Sequence, residues 1–233
     1  MKGKIRLAVA EIRALGLVLA LRRVIRYILS YVLSKVLRPW NKTFILSGNA
    51  HSFKVTQRSF DNERSVEVPV TLSFIENHPS SRLLEIGNVL HCYIKSSHDV
   101  VDKYERAPGV INQDVVEFAP LAKYDVIVSI STIEHVGLDE PLKERGKCVR
   151  ALLHIKSLLE DGGKALITVP VGYNEDIDTY IINNRASFEN ITFLKRVSLS
   201  NKWIEVDMEE AMQHRYGCRF PAANAVAFLY LNK

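Results

Sequence analysis

Apolar residues recur along the chain with two different spacings, and the pattern changes near residue 80. Before that point, apolar positions stand three and four apart over about 5–37 and over Val66–Ile75, which predicts helices. Beyond it, short apolar runs alternate with mixed segments. The runs Arg82–Ile86 and Tyr124–Ile130 are typical of parallel strands buried on both faces. Strands that alternate with helices predict an α/β fold with a mostly parallel sheet.

The second half of the chain continues this alternation. Glu140–Leu159 carries an apolar stripe and predicts a helix, which we expect to end at Asp161–Gly163 because glycine adopts the left-handed backbone that follows a last helical turn. A strand over Lys164–Val169 follows directly. Trp203–Val206 and Ala225–Leu231 are predicted as the last two strands.

The first helical segment is basic as well as apolar. Residues 1–38, the N-terminal arm, hold nine Lys and Arg and one acid, a net charge of +8 in a chain whose total is +5. The longest charge-free runs in the arm have eight residues, whereas a bilayer-spanning helix needs about 20 apolar residues. Two interpretations remain: the arm lies in the headgroup layer of an anionic membrane, or it packs on the rest of the chain or on a partner.

Composition narrows the class of protein further. With 233 residues, 47% hydrophobic and 24% charged, the chain is globular, and its three cysteines lie far apart without zinc-finger spacing. We therefore expect no metal site and a cytoplasmic location, peripheral at the inner face of a membrane if the arm binds lipid. The predicted organisation is an arm over 1–38, a lead-in or cap segment over 39–80 and a main domain over 81–233. No nucleic acid is expected as a partner, because binding phosphates does not need the arm's long apolar runs.

Small and acidic residues follow the predicted strands, where ligands bind in open α/β sheets. Glu85 and Gly87 end the first strand, Asp102 follows a Val-Val pair, and Asp114 follows another short apolar run. The strongest strand is followed by the sequence STIEHV, residues 131–136. Several such strand ends indicate a ligand site better than any one of them does.

In their order along the chain these segments resemble the class I S-adenosylmethionine-dependent methyltransferases. The resemblance covers about Arg82–Val171, and it rests on the ordered set LLEIG, VVD, INQDV, YDVIVSISTIEHV and LLEDGGKALITVP. It implies a Rossmann-like fold with a seven-stranded, mostly parallel sheet whose last strand, Ala225–Leu231, inserts antiparallel. It also implies S-adenosyl-L-methionine as the cofactor and methyl transfer as the reaction.

The resemblance assigns a role to each matching position. Asp102 would hold the ribose hydroxyls, Asp114 the adenine amino group, and Val115 would lie against the adenine ring. The other expected cofactor-binding residues face the methionine part or the opposite side of the cofactor: Glu85, Gly87, Asn88, Ser129, Ser131 and Thr132.

Two departures from the family pattern bear on these assignments. Val89 and His91 stand where further glycines of the first turn would fall. Only 11 residues separate Asp102 from Asp114, too few for the usual connecting helix. Either the chain is a compact variant or one of the two acids is misplaced.

His135 is the predicted general base, because it follows the fourth strand and its side chain titrates near neutral pH. Glu134 would orient it or bind the acceptor; alternatively, the pair only shapes the pocket. For Glu63, Arg64 and Glu67, a solvated charge cluster is favoured over a role as substrate ligands.

The acceptor is predicted to be a small molecule, through a hydroxyl of a sugar, glycolipid or polysaccharide intermediate. This prediction depends on the arm alone. The alternative function is a catalytically silent cofactor-binding or scaffold protein of the same fold. A dinucleotide enzyme is disfavoured, since no G-x-G-x-x-G turn follows the first strand.

Overall fold

The computed structural model describes residues 43–54, 59, 61–79, 82–95 and 97–233, together with four helical positions in the arm, Leu21, Ile25, Ile28 and Val32. The predictions for the arm, and for the division of the chain at residue 38, therefore fall largely outside the described residues. Among the residues that are described, no helix is long and apolar enough to cross a membrane.

The described strands and helices follow one another in the order that an α/β fold requires. The strands are β1 (Thr43–Leu46), β2 (Asn49–Ser52), β3 (Leu83–Ile86), β4 (Asp99–Val101), β5 (Val110–Ile111), β6 (Tyr124–Ile130), β7 (Leu159–Pro170), β8 (Asn190–Arg196), β9 (Trp203–Val206) and β10 (Ala225–Asn232). The α-helices are α1 (Arg64–Glu76), α2 (Lys147–Leu158), α3 (Glu175–Asn183) and α4 (Met208–Met212).

Eight of the described strands form one sheet in the order β5-β4-β3-β6-β7-β10-β8-β9. From β5 to β7 the neighbours are parallel. β10 lies antiparallel between β7 and β8. The expected core of seven strands with an antiparallel last strand is present, and β9 adds an eighth strand by pairing antiparallel with β8.

Helices cover both faces of this sheet, as the continuous apolar strands predict. On β6, Val126, Val128 and Ile130 pack with α1, whereas Ile127 packs with the cluster that contains α2 and α3. This alternation follows from the two-residue period of a strand. The predicted helix Val66–Ile75 is confirmed as α1, and Pro69 is accommodated inside it.

The helix α2 is shorter than predicted at its N-terminal end. It begins at Lys147 rather than at Glu140, because Gly146 has a left-handed backbone with φ of 71°. Residues 137–146 form a loop instead, in which Glu140 accepts a hydrogen bond from the backbone of Gly137 at 3.1 Å. Glu140 of this loop lies in the site described below.

The glycines at the other end of α2 do not end the helix, contrary to the prediction. α2 ends at Leu158, because Leu159 is already extended and paired with Tyr124 in the sheet. Gly162, with φ of 81°, lies inside β7, which is longer than the predicted strand Lys164–Val169.

The connection between β4 and β5 contains no helix. Residues 102–109, all of them described, form turns, although the two strands are parallel. A parallel crossover usually needs a dozen or more residues. The connection after β4 is therefore compact, as the first of the two alternatives expects, and the roles of Asp102 and Asp114 stay predictions.

Candidate active site

A cavity of about 550 Å³ opens where the strand carboxyl ends meet. Its size is typical of sites for small molecules and cofactors. It is lined by Ile86, Gly87, Val101, Asp102, Lys103, Tyr104, Glu105, Gln113, Asp114, Val115, Ser131, Thr132, His135, Val136, Asp139 and Glu140. Residues that follow β3, β4, β5 and β6 are thus brought to one place.

Gly87 allows the loops after β3 and β6 to approach each other closely. Its backbone is left-handed, with φ of 83°, and an added Cβ would lie 2.2 Å from the hydroxyl oxygen of Thr132. Both the backbone conformation and the space therefore require glycine at this position. Gly87 and Thr132, two of the predicted site residues, therefore lie side by side in the lining of the cavity.

Asp102 stabilises the short connection after β4 and also lines the cavity. Its Oδ1 accepts hydrogen bonds from the backbone N–H groups of Tyr104, at 2.8 Å, and Glu105, at 2.7 Å. One carboxylate oxygen thereby satisfies two backbone donors of the turn, in the way that a capping side chain satisfies the free N–H groups at the start of a helix. The other oxygen, Oδ2, accepts no hydrogen bond from any described residue.

Asp114 belongs to an ion cluster with Lys103, Glu140 and Lys147. Lys147 Nζ lies 2.6 Å from Asp114 Oδ2 and 2.8 Å from Glu140 Oε2, and Lys103 Nζ contacts the same two oxygens at 2.7 and 2.6 Å. Burial by itself would raise the pKa of Asp114 and of Glu140, but hydrogen bonds from the two lysines outweigh it and lower both pKa values. Oδ1 of Asp114 accepts only the backbone N–H of Val116, at 3.2 Å, and can accept a further donor.

Four of the predicted site residues do not line the cavity: Glu85, Asn88, Ser129 and Glu134. Glu85 is fully buried, and its Oε1 accepts the backbone N–H groups of Val89 and Leu90 while His98 contacts Oε2 at 2.8 Å. Ser129 donates to the backbone oxygen of Ile86 at 3.0 Å. These two side chains fix the turn after β3 from beneath the cavity.

His135 is held in one orientation by Asp139. The two groups lie 2.5 Å apart at Nδ1 and Oδ2, and the hydroxyl of Tyr173 donates to the same carboxylate oxygen, also at 2.5 Å. These hydrogen bonds lower the pKa of Asp139, so it is ionised and Nδ1 of His135 carries the proton. Nε2 lies 3.6 Å from Oε1 of Glu134 and can accept a proton from a bound molecule.

A second group of charged residues, which we call the acceptor-side cluster, adjoins His135. It consists of Glu63, Arg64, Glu67 and Glu134, and the three acids are 7%, 0% and 1% exposed. The expectation of a solvated cluster for the first three is therefore wrong. They are buried because α1 packs against the ends of β6 and β7, where Glu67 accepts from Ser131 and Thr168.

Sequence reasoning missed several residues that complete the site. Lys103 directly follows Asp102, and Asp139 stands four residues after His135. Their nearness in sequence to Asp102 and to His135 is a signal by which both could have been predicted as site residues. For Lys147 and Glu140 no such signal exists, because they were assigned to one helix that the structure divides.

The position of the last strand decides how the fold is classified. β10 lies antiparallel between β7 and β8 and β3 begins the parallel half, which is the arrangement that the sequence resemblance implies. The chain has the class I methyltransferase fold. The roles of individual residues in this fold remain predictions.

Comparison with solved structures gives distant similarities only. N-methyltransferase NodS from Bradyrhizobium japonicum WM9, in complex with S-adenosyl-L-homocysteine, is 14% identical with a TM-score of 0.47, over 76% of this chain and 91% of that one. A SAM-dependent methyltransferase from Thermotoga maritima is 17% identical with a TM-score of 0.40, over 70% and 87%. Precorrin 8W decarboxylase from Methanobacterium thermoautotrophicum is 12% identical with a TM-score of 0.43, over 77% and 96%. No family model and no curated protein matches the sequence.

Proposed function

We propose that the chain is an S-adenosylmethionine-dependent methyltransferase that acts on a small-molecule acceptor. The observation that carries this proposal is the cavity at the strand ends, in which Gly87, Asp102, Asp114 and His135 meet. Ligands of open α/β sheets bind at this edge. The site combines acceptors for hydroxyl and amino groups with an apolar surface.

The lining residues fit the parts of the cofactor. Oδ2 of Asp102 is available for the ribose hydroxyls, and Oδ1 of Asp114 has a lone pair for the adenine amino group. Val101 and Val115 offer apolar surface for the adenine ring. Gly87 lets the backbone approach the methionine part without a side chain in the way.

When bound, S-adenosylmethionine supplies a methyl group activated by its bond to a positively charged sulfur. The chain must hold the acceptor in line with that bond and remove a proton from it. His135 suits this task, because Asp139 orients the ring through Nδ1, and Nε2, which lies 3.6 Å from Glu134, can take the proton. A hydroxyl and an ammonium group both need such a base.

Calorimetric titration of the full chain with S-adenosyl-L-homocysteine tests the cofactor site. We expect saturable binding by the native protein and binding at least about tenfold weaker in Asp102→Asn, since a hydrogen bond to a charged group is worth about 1.5–3 kcal/mol. Asn keeps Oδ1 for the two backbone donors, so the turn is preserved. Asp161→Asn is the matched control, because Asp161 is 99% exposed.

The result that would overturn the proposal is the absence of any binding by the folded native chain. Binding without transfer of a radiolabelled methyl group to lipid, glycan or amine extracts would instead favour the alternative, a catalytically silent cofactor-binding or scaffold protein.

The sequence prediction of a membrane-associated hydroxyl acceptor is the second candidate. Leu21, Ile25, Ile28 and Val32 are helical and between 47% and 58% exposed, and their spacing of four, three and four residues puts them on one face. An exposed apolar face in a segment of charge +8 supports docking to the headgroup layer of an anionic membrane. A sugar or glycolipid hydroxyl would then be within reach of the site.

Sedimentation with vesicles tests this location. The full chain should sediment with vesicles that contain phosphatidylserine at low salt, and a double variant Ile25→Glu and Ile28→Glu should stay in the supernatant. Equal recovery of the two proteins in the supernatant would contradict membrane docking, and vesicles of phosphatidylcholine alone show how much of the binding is electrostatic.

A further inference from the structure

The acceptor-side cluster holds more negative than positive charge in a buried place. Among the described residues, its three carboxyl groups face one arginine, Arg64, which donates to Glu67 at 3.0 Å and to the backbone oxygens of Ile130 and Ser131 at 2.8 and 3.2 Å. Buried acids are normally paired or hydrogen-bonded, because an unpaired buried charge is costly. The cluster as it stands lacks a cation.

Glu134 is the acid of this cluster whose hydrogen bonds are incomplete. Glu67 is satisfied by Arg64, Ser131 and Thr168, and Glu63 accepts the backbone N–H of Ala223 at 3.0 Å. Oε2 of Glu134, by contrast, is buried and accepts no hydrogen bond from any described residue. The carboxyl accepts the backbone N–H of its own residue, and its other oxygen, Oε1, lies 3.6 Å from Nε2 of His135.

The electrostatic surroundings of Glu134 also set this carboxyl apart. Burial raises the pKa of Glu134 well above its usual value, and the neighbouring Glu67 and Glu63 raise the pKa further, against the opposing effect of Arg64. A cation bound beside the carboxyl would reverse this shift, because an opposite charge favours the ionised form.

Two tyrosines lie near the cluster, and one of them, Tyr173, contacts His135, which lines the cavity. The rings of Tyr173 and Tyr216 lie 4.9 Å apart at 89°, and Tyr173 lies 4.7 Å from His135 at 67°. Burial and Asp139 raise the pKa of Tyr173, burial and Glu63 raise the pKa of Tyr216, and Glu134 raises both pKa values further. Tyrosine faces next to carboxylates are the surroundings in which proteins bind alkylammonium groups.

We propose that the acceptor is an amine, bound as its ammonium form between Glu134 and the tyrosine pair Tyr173 and Tyr216, so that the chain is an N-methyltransferase. This proposal rests on the proposed function. Glu134 neutralises the ammonium, and the ammonium gives one proton to Nε2 of His135. The freed lone pair of nitrogen forms the new N–CH₃ bond, while the bond from that methyl group to sulfur breaks and its electron pair stays on sulfur.

Two probes of matched length test the acceptor class without methyl transfer. n-Butylammonium and n-butanol are titrated separately into the full chain saturated with S-adenosyl-L-homocysteine, by calorimetry and thermal unfolding. We expect saturable binding of the ammonium and none of the alcohol at the same concentration. Glu134→Gln should weaken ammonium binding at least tenfold, and Tyr173→Leu should weaken it several-fold.

The matched control is Glu209→Gln, an exposed acid on α4, which should bind the ammonium like the native chain. Equal binding of both probes, or native affinity in Glu134→Gln, would overturn the amine proposal. If S-adenosyl-L-homocysteine binds and n-butylammonium does not, the amine proposal fails and the proposed function stands. If S-adenosyl-L-homocysteine does not bind, the proposed function itself fails.

Discussion

Two buried charged clusters flank the carboxyl end of β6, and they differ in balance. The ion cluster of Lys103, Asp114, Glu140 and Lys147 has two lysines and two acids, all paired at 2.6–2.8 Å. The acceptor-side cluster has three acids and one arginine, and one of its carboxylate oxygens has no partner among the described residues. The acids of the first have lowered pKa values, whereas Glu134 in the second has a raised pKa.

From this difference we expect a structural role for the ion cluster and a binding role for the acceptor-side cluster. Charges that satisfy one another hold loops together and gain nothing from a ligand. A buried carboxyl without a partner reduces the stability of the folded chain and gains most when a cation arrives. The following predictions test whether the two clusters differ in this way.

Removing the buried cation of the balanced cluster should have the largest effect. Lys147→Met leaves Asp114 and Glu140 with only the half-exposed Lys103, and breaking a buried ion pair of this kind costs about 3–5 kcal/mol. Urea unfolding measures the loss. Lys202→Met, at an exposed lysine, serves as the control, and an equal loss in both variants would mean that the cluster is not structural.

The second-largest effect is expected at Gly87, where the loops after β3 and β6 approach each other. Gly87→Ala and Gly109→Ala place a Cβ on backbones of nearly equal φ, 83° and 84°, but only at Gly87 does the added atom meet a neighbour. Both variants should lose about 1–2 kcal/mol through the left-handed backbone, and Gly87→Ala about 1–3 kcal/mol more through the clash. Calorimetry should show S-adenosyl-L-homocysteine binding lost only in Gly87→Ala, and unimpaired binding there would contradict this account of the cavity lining.

Neutralising the unpaired acid should stabilise the chain in a pH-dependent manner. Because the pKa of Glu134 is raised in the folded state, folding binds a proton, so the native chain loses stability as pH rises from the ordinary glutamate pKa towards the raised one. Glu134→Gln should therefore unfold at a higher temperature than the native chain at pH 8, and the difference should vanish near pH 4. A difference that is constant with pH would show that Glu134 does not titrate abnormally.

The smallest effect is expected at the second lysine of the balanced cluster. The side chain of Lys103 is 35% exposed, against 7% for Lys147, although both contact the same two acids. Lys103→Met should cost no more than about 1 kcal/mol in urea unfolding, because solvent screens an exposed pair. A loss as large as that of Lys147→Met would mean that burial does not set the strength of these contacts.

The sheet was the most predictable part of the molecule, since its signals are local. Tyr124–Ile130 and Trp203–Val206 are strands with the predicted bounds, because continuous β-branched and aromatic residues leave few alternatives. The start of α2 was missed, because its periodic pattern continues through residues that Gly146 holds in a loop.

The candidate site was predictable only in its outline. Strand-end positions led to Gly87, Asp102, Asp114 and His135, which line one cavity. Arg64 and Glu67, whose charges act on Glu134, come from α1, and Lys147, which binds Asp114, comes from α2. These residues are far away in sequence, and residue types alone do not reveal such proximity. For the same reason, the burial of Glu63 and Glu67 was not predicted.

The hydrogen bonds of Glu67 have a consequence for where a minimal folding unit can begin. This side chain on α1 supplies the acceptor for the hydroxyls of Ser131 and Thr168, which end the two central strands. A shortened chain that started at β3 would leave both hydroxyls without that acceptor, and it would expose the face of the sheet that Val66 and Val68 cover. The edge of the sheet that lines the cavity is thus completed by a helix that precedes the sheet in sequence, so a minimal folding unit must include both.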